Sequence, residues 1–205
     1  EVPPNIVCIA DPENRDELDA FLEVIPETTL VIMDEAYFEY VDAEDYPNGL
    51  DYLPKRKNLL VTRTFSKCYG LAGLRIGYAV GHPEIIDFLN RGRQPFNVNS
   101  LAQVGAMAAL DDTDHLERAR TLNRTEMDRL VPEIEKMGCK VTPSQANFVL
   151  VDFGRDVGPV FDAMLRLGVI VRPMAGYGLG TSARVTIGTE EQNDKLLRVM
   201  AEVLG

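Results

Sequence analysis

The sequence predicts an α/β protein in two parts: a mostly parallel sheet with helices over residues 1–112, then a smaller α+β unit over residues 113–205. Three observations carry this. The apolar run at residues 30–33 breaks off at the acidic pair Asp34 and Glu35, the pattern of a buried parallel strand that delivers polar groups at its carboxyl end. Leu18, Phe21 and Leu22 stand at helical spacing just before it, so a helix feeds the strand. Beyond Gly138 the rhythm changes to short strands alternating with amphipathic helices, which marks a second unit.

Taken in order, residues 15–23 form the first helix and residues 30–33 the first clear strand. The acidic stretch 42–54, punctuated by Pro47 and Gly49, is a surface loop. Residues 59–64 and 76–80 are two short strands whose Gly-rich connection is too short for a crossover helix, so they pair antiparallel. Pro83 opens a helix to about residue 90, and residues 100–111, rich in small side chains, form another. Residues 114–137 make a long amphipathic helix with a kink expected at Pro132 and an end at Gly138. Strands follow at residues 140–142, 147–153, 169–172 and 184–187, with helices at 157–167 and 190–204.

Composition excludes several classes of function. The chain has 205 residues, 45% of them hydrophobic and 26% charged, which places it with folded globular proteins rather than disordered ones. Its 21 basic residues against 32 acidic ones give a net charge of −11, the wrong sign for a protein that grips a nucleic-acid backbone. No apolar run approaches the ~20 residues of a membrane span, and the first residues lack the basic and apolar regions of a signal peptide, so a cytoplasmic protein is expected. Cys8, Cys68 and Cys139 are widely spaced and suit free thiols, and with only His82 and His115 beside them no metal centre is expected. Gly176 to Gly180 has the look of a dinucleotide loop, but no helix opens behind it.

The chemistry gathers at the ends of the predicted strands. Asp34 and Tyr37 follow the first strand, and the string T-F-S-K-C-Y-G-L-A-G-L-R places Thr64, Ser66, Lys67 and Arg75 among glycines that let backbone approach an anion. In α/β sheets that edge is where ligands bind. A lysine beside a phosphate site, with an acid at a neighbouring strand end, is what pyridoxal phosphate chemistry requires: an amine for the Schiff base, a carboxylate for the ring nitrogen, hydroxyls and a guanidinium for the phosphate. Plainer readings exist: Tyr37 as core packing, Thr64 and Ser66 as turn caps, Arg75 and Arg184 as surface or strand arginines. Cys68 reads as packing, since no histidine base is near it in sequence.

DEAYFEY, TRTFSKCYGLAGLRIGY, ANFVLVDF, GVIVRP and ARVTIGT together resemble the fold-type I pyridoxal phosphate-dependent aminotransferases, most closely those of the histidinol-phosphate branch. The resemblance runs in order along nearly the whole chain. It implies part of the large, cofactor-binding domain over residues 1–112 and the small carboxyl-terminal domain over residues 113–205. It also implies pyridoxal 5'-phosphate as cofactor, with Lys67 as Schiff-base lysine and proton shuttle, Asp34 as partner of the ring nitrogen and Tyr37 as donor to the ring hydroxyl. Thr64, Ser66 and Arg75 fall on phosphate positions. Arg184 resembles the arginine that pairs with the substrate carboxylate, and Arg172 one that holds the phosphate of L-histidinol phosphate. The implied reaction exchanges an amino group between L-histidinol phosphate and 2-oxoglutarate, giving glutamate, in a homodimer serving histidine biosynthesis. An aromatic amino-acid aminotransferase and an amino-acid-phosphate decarboxylase are the alternatives within the same fold, and a catalytically inert fragment is a third.

The family pattern is broken at the front. Members carry a Gly/Ser phosphate loop and a ring-stacking aromatic upstream of anything present in this chain. Where N-P-x-N-P-T-G is expected the chain reads A-D-P-E-N-R-D-E, with Asn14 at the asparagine position that contacts the cofactor. A truncated chain is the expectation.

Overall fold

The computed structural model describes residues 6–10 and 14–205, and the chain divides into two compact units, Glu1–Leu116 and Glu117–Gly205. In the first, strand β1 (Ile6–Ala10) leads to helix α1 (Arg15–Val24), strand β2 (Leu30–Asp34), strand β3 (Leu59–Thr64) and strand β4 (Gly77–Gly81). The sheet has the order β1-β2-β3-β4; the first three strands are parallel and β4 is antiparallel to β3. The antiparallel pairing expected from the short connection is therefore present.

Asn14 caps α1, its Oδ1 accepting from the Glu17 backbone N–H at 3.0 Å. The helix lays Leu18 and Leu22 on a face of the sheet made by Val31 and Met33 of β2 and Leu59 and Val61 of β3, a cluster with no member more than 3% exposed. A leucine buried this fully contributes about 1.5–3 kcal/mol relative to an exposed one. Strand alternation sends the intervening residues to the opposite face, and in the parallel register Asp34 stands beside Thr62.

Helices α2 (Pro83–Gly92) and α3 (Ser100–Asp111) complete the unit, and helix α4 (Thr113–Lys136) begins in it. Pro83 occupies the first turn of α2, where its missing N–H costs nothing, and His82 caps the helix, its Nδ1 accepting from the Glu84 N–H at 3.4 Å. Pro132 lies inside α4, which runs on to Lys136 before Gly138, at φ +85°, takes the left-handed conformation after its end.

The second unit is a wholly antiparallel sheet of order β5-β6-β8-β7, formed by β5 (Lys140–Thr142), β6 (Phe148–Asp152), β7 (Arg172–Pro173) and β8 (Ser182–Thr186). Helices α5 (Val157–Arg166) and α6 (Glu190–Leu204) connect and close it. Its core joins Leu130 and Ile134 of α4, Val149 and Val151 of β6, Met164 of α5, Val185 of β8 and Met200 of α6. The strand expected at residues 169–172 is shorter than expected. Gly168 turns left-handed at φ +77° and the Val169 N–H returns to the Met164 carbonyl at 2.9 Å, so this apolar run finishes α5 instead of pairing in the sheet.

Candidate active site

The carboxyl ends of β2 and β3 open onto a depression of about 280 Å³, lined by Asp34, Thr62, Thr64, Ser66 and Arg75 together with Arg63, Ile76 and Gly77. Four residues singled out from the sequence, one carboxylate, two hydroxyls and one guanidinium, thus share one concavity. The register explains it. Asp34 and Thr62 are neighbours across β2 and β3, and Thr64 lies two residues further along the same face.

Beyond Thr64 the chain turns tightly. The Leu71 N–H bonds to the Phe65 carbonyl at 2.9 Å, Gly70 at φ +71° donates to the Lys67 carbonyl at 2.9 Å, and Ser66 N–H is held by Thr64 Oγ1 at 3.1 Å. Phe65 and Cys68 point inward, 4% and 2% exposed, and Phe65 meets Tyr69 and Tyr78 in tilted ring contacts at 4.9 and 5.8 Å between ring centres. Ser66 and Lys67 are thereby turned away from the core. The Lys67 amine stands 5.2 Å from the centre of the Tyr37 ring, and His115 Nε2 lies 3.0 Å from the Cys68 carbonyl, next to the lysine. The Cys68 side chain is buried, and the histidine missing near it in sequence comes from the first turn of α4, where His115 meets its backbone carbonyl.

Arg75 holds a left-handed backbone, φ +54° and ψ +52°, uncommon for a side chain of this size. That conformation directs its Nη1 to the Ala72 carbonyl at 2.8 Å and to within 3.5 Å of Ser66 Oγ, which places the guanidinium at the depression.

Behind the strand ends lies a cluster that sequence reasoning missed. Glu35 is 1% exposed and accepts from the Gly49 N–H through Oε1 at 2.6 Å. Its Oε2 accepts from Arg63 Nε at 2.8 Å and faces Arg63 Nη2 at 2.7 Å. Arg63 Nη2 also donates to Asn48 Oδ1 at 2.9 Å, and its Cζ sits 3.8 Å above the Phe38 ring. Burial pushes the nearby Glu39 carboxyl above its ordinary pKa, with the Arg63 charge acting against that rise. The signal was present in the sequence: two acids in a row at a strand end point to opposite faces, so only one can serve the ligand side, and the other needs a cation such as the arginine of T-R-T.

Residues 12–200 match the protein family described as aminotransferase class I and II. The chain belongs to that family. This aminotransferase chain is 50% identical, over 97% of its length, to histidinol-phosphate aminotransferase 2 of Pseudomonas aeruginosa, and 50% identical over the same share to histidinol-phosphate aminotransferase 1 of Nitrosococcus oceani. It spans 56% of the length of each. The crystal structure of histidinol-phosphate aminotransferase from Sinorhizobium meliloti in complex with pyridoxal-5'-phosphate is 29% identical to it, with a TM-score of 0.90 over 98% of this chain and 57% of that one. The fold is thus the mixed α/β fold of the pyridoxal phosphate-dependent aminotransferases.

The remaining sequence-selected residues of the aminotransferase chain are not among those lining the depression. Asn14 is the α1 cap, its oxygen committed to Glu17. Arg172 and Arg184 belong to the second unit, where they are cross-strand neighbours on β7 and β8. Arg184 lies 5.0 Å from the Phe148 ring centre, and exposed Arg172 has its Nη2 3.4 Å from the Tyr177 hydroxyl. Among the described residues no group of three or more His, Cys, Asp or Glu is placed to hold a metal, and no helix is long and apolar enough to cross a membrane.

Proposed function

We propose that this chain is the lysine-bearing and carboxyl-terminal part of a pyridoxal phosphate-dependent aminotransferase that exchanges an amino group between L-histidinol phosphate and 2-oxoglutarate. One observation carries the cofactor reading: a carboxylate, two hydroxyls and a guanidinium line one depression, and Lys67, next in sequence to Ser66 of that lining, holds its amine 5.2 Å from the centre of the Tyr37 ring. The donor set suits the group. Arg75, Ser66 and Thr64 offer charge-assisted and hydroxyl contacts to a phosphate, and Asp34 offers an anion to a protonated ring nitrogen.

Bound there, pyridoxal phosphate supplies an aldehyde that takes up an amine and a ring that withdraws electrons from the adjacent carbon. Asp34 keeps the ring nitrogen protonated by holding a negative charge against it. Tyr37 orients through its hydroxyl, and Thr64, Ser66 and Arg75 fix the phosphate. Lys67 Nζ would supply the amine that holds the aldehyde and the base that moves a proton from the substrate carbon. Since the Asn14 oxygen caps α1, a contact from this residue to the cofactor falls to its Nδ2 donor.

The substrate reading rests on the 50% identical relatives and on a second arginine. Arg184 suits the carboxylate of glutamate or 2-oxoglutarate, and Arg172 the phosphate of histidinol phosphate, because a guanidinium fork grips either anion in a bidentate way. A cytoplasmic homodimer is the setting this reading implies, and mass in solution tests the assembly.

The deciding experiment adds pyridoxal phosphate, reduces with borohydride and maps the modified residue. Attachment at Lys67, lost in Lys67→Ala, is the expected result; an unmodified chain counts against cofactor binding. Glutamate-dependent transfer is then compared with histidinol phosphate and with phenylalanine as donors, alongside carbon dioxide release. Preference for phenylalanine, or release of carbon dioxide, would replace the substrate assignment with one of its alternatives.

A further inference from the structure

The geometry points to Glu35 and Arg63 as a positioning pair that sets where Asp34 and Tyr37 stand toward the cofactor. The inference rests on the roles proposed for Asp34 and Tyr37 and goes beyond them, because neither Glu35 nor Arg63 has a part in that chemistry.

Asp34 and Tyr37 are separated only by Glu35 and Ala36. Each has a neighbour fixed by the same guanidinium: Glu35, one residue after Asp34, through two Arg63 nitrogens, and Phe38, one residue after Tyr37, through the face of its ring. Arg63 is itself a β3 residue, between Thr62 and Thr64 of the depression, and the Glu35 N–H bonds to the Thr62 carbonyl at 2.9 Å. One arginine thus ties the segment after β2 to the strand that leads to Ser66 and Lys67. The far side is closed as well. Gly49 N–H donates to Glu35 Oε1, Asn48 Oδ1 accepts from Arg63 Nη2, and Tyr78 also bonds to the guanidinium.

Energetics distinguish positioning from simple stabilisation. Glu35 is 1% and the Arg63 side chain 11% exposed, so both charges are largely desolvated. A hydrophobic pair of similar volume is often as stable as such an ion pair, whereas the ion pair fixes one geometry through directional bonds. A reacting group misplaced by 1 Å can lose about 100-fold in rate, which makes a fixed geometry worth that cost at this strand end.

The test compares the full chain with Glu35→Gln, Arg63→Lys and Phe38→Leu. Glu35→Gln keeps the shape and removes the charge; Arg63→Lys keeps the charge and removes the fork and the stacking; Phe38→Leu leaves the ion pair in place. Three readouts are taken: the pH midpoint of the absorbance of the pyridoxal phosphate adduct, the affinity for pyridoxal phosphate, and amide hydrogen exchange over residues 34–40 in cofactor-free protein. A moved midpoint, cofactor held about tenfold or more weakly in Glu35→Gln and Arg63→Lys, and faster exchange confined to residues 34–40 are expected, with Phe38→Leu intermediate. An unchanged midpoint in Glu35→Gln overturns the inference while leaving the cofactor assignment intact. Should the unmodified chain form no adduct, the proposed function fails and exchange alone decides the pair: acceleration limited to residues 34–40 supports it, and unaltered or sheet-wide exchange rejects it.

Discussion

Gly49 sits where a side chain cannot. A Cβ there would lie 2.8 Å from Glu35 Oε1, 2.9 Å from Val61 Cγ2 and 3.0 Å from Met33 Sδ, so the backbone N–H reaches the carboxylate only because nothing else occupies that space. Gly49→Ala is expected to destabilise the chain by about 1–3 kcal/mol, the usual range for overpacking, with the loss measured by denaturant titration. At this scale the sequence was legible where chemistry demands particular residue types. Asp34, Thr64, Ser66 and Arg75 were selected from a motif, and they line one depression. Glu35 was passed over because it was read as half of an acidic pair, when strand alternation gives its two members opposite faces and unlike fates.

Helix α4 meets α6 through one buried carboxylate. Glu126 Oε2 accepts from Asn193 Nδ2 at 2.8 Å and pairs with Arg129 Nη2 at 2.7 Å, while Arg129 Nη1 reaches Asp194 at 2.7 Å. The hydrogen bonds from Arg129 and then from Asn193 hold the Glu126 carboxyl below its ordinary pKa, against the opposing effect of burial. Because the folded value is depressed, the stability this tie contributes is complete above the ordinary glutamate pKa and drains away as the pH falls through the lowered one. Glu126→Gln is expected to cost about 1 kcal/mol at pH 7, a low figure because the Arg129 side chain is 35% open to solvent. Thermal melts from pH 7 to pH 3 should show the gap from the parent chain closing at the acid end. Elements were legible where period and punctuation agreed, as at α3, expected and found over Ser100–Asp111. The apolar run after Gly168 misled, since a short apolar segment has no period of its own and only the return of Val169 N–H to Met164 reveals it as a helix ending.

At the scale of the whole chain, most of the buried apolar side chains among the described residues fall into two clusters with no residue in common, one around Leu59 and Val61, the other around Leu130 and Val149. Leu59→Ala and Leu130→Ala are each expected to cost about 2–5 kcal/mol. Hydrogen exchange should place the loss of protection in β1–β4 for the first and in β5–β8 for the second; spread of either effect through both sheets would contradict separate cores. The presence of two units was visible in the change of rhythm after Gly138, because an all-antiparallel sheet and a parallel one impose different lengths and patterns on their strands. Pairing order was not visible: β8 beside β6, with β7 outside them, depends on contacts between strands distant in sequence. Two interiors that share no side chain also give natural selection two independent substrates. Drift that reshapes the packing of the antiparallel half need not disturb that of the parallel half, so the two can diverge among descendants at different paces.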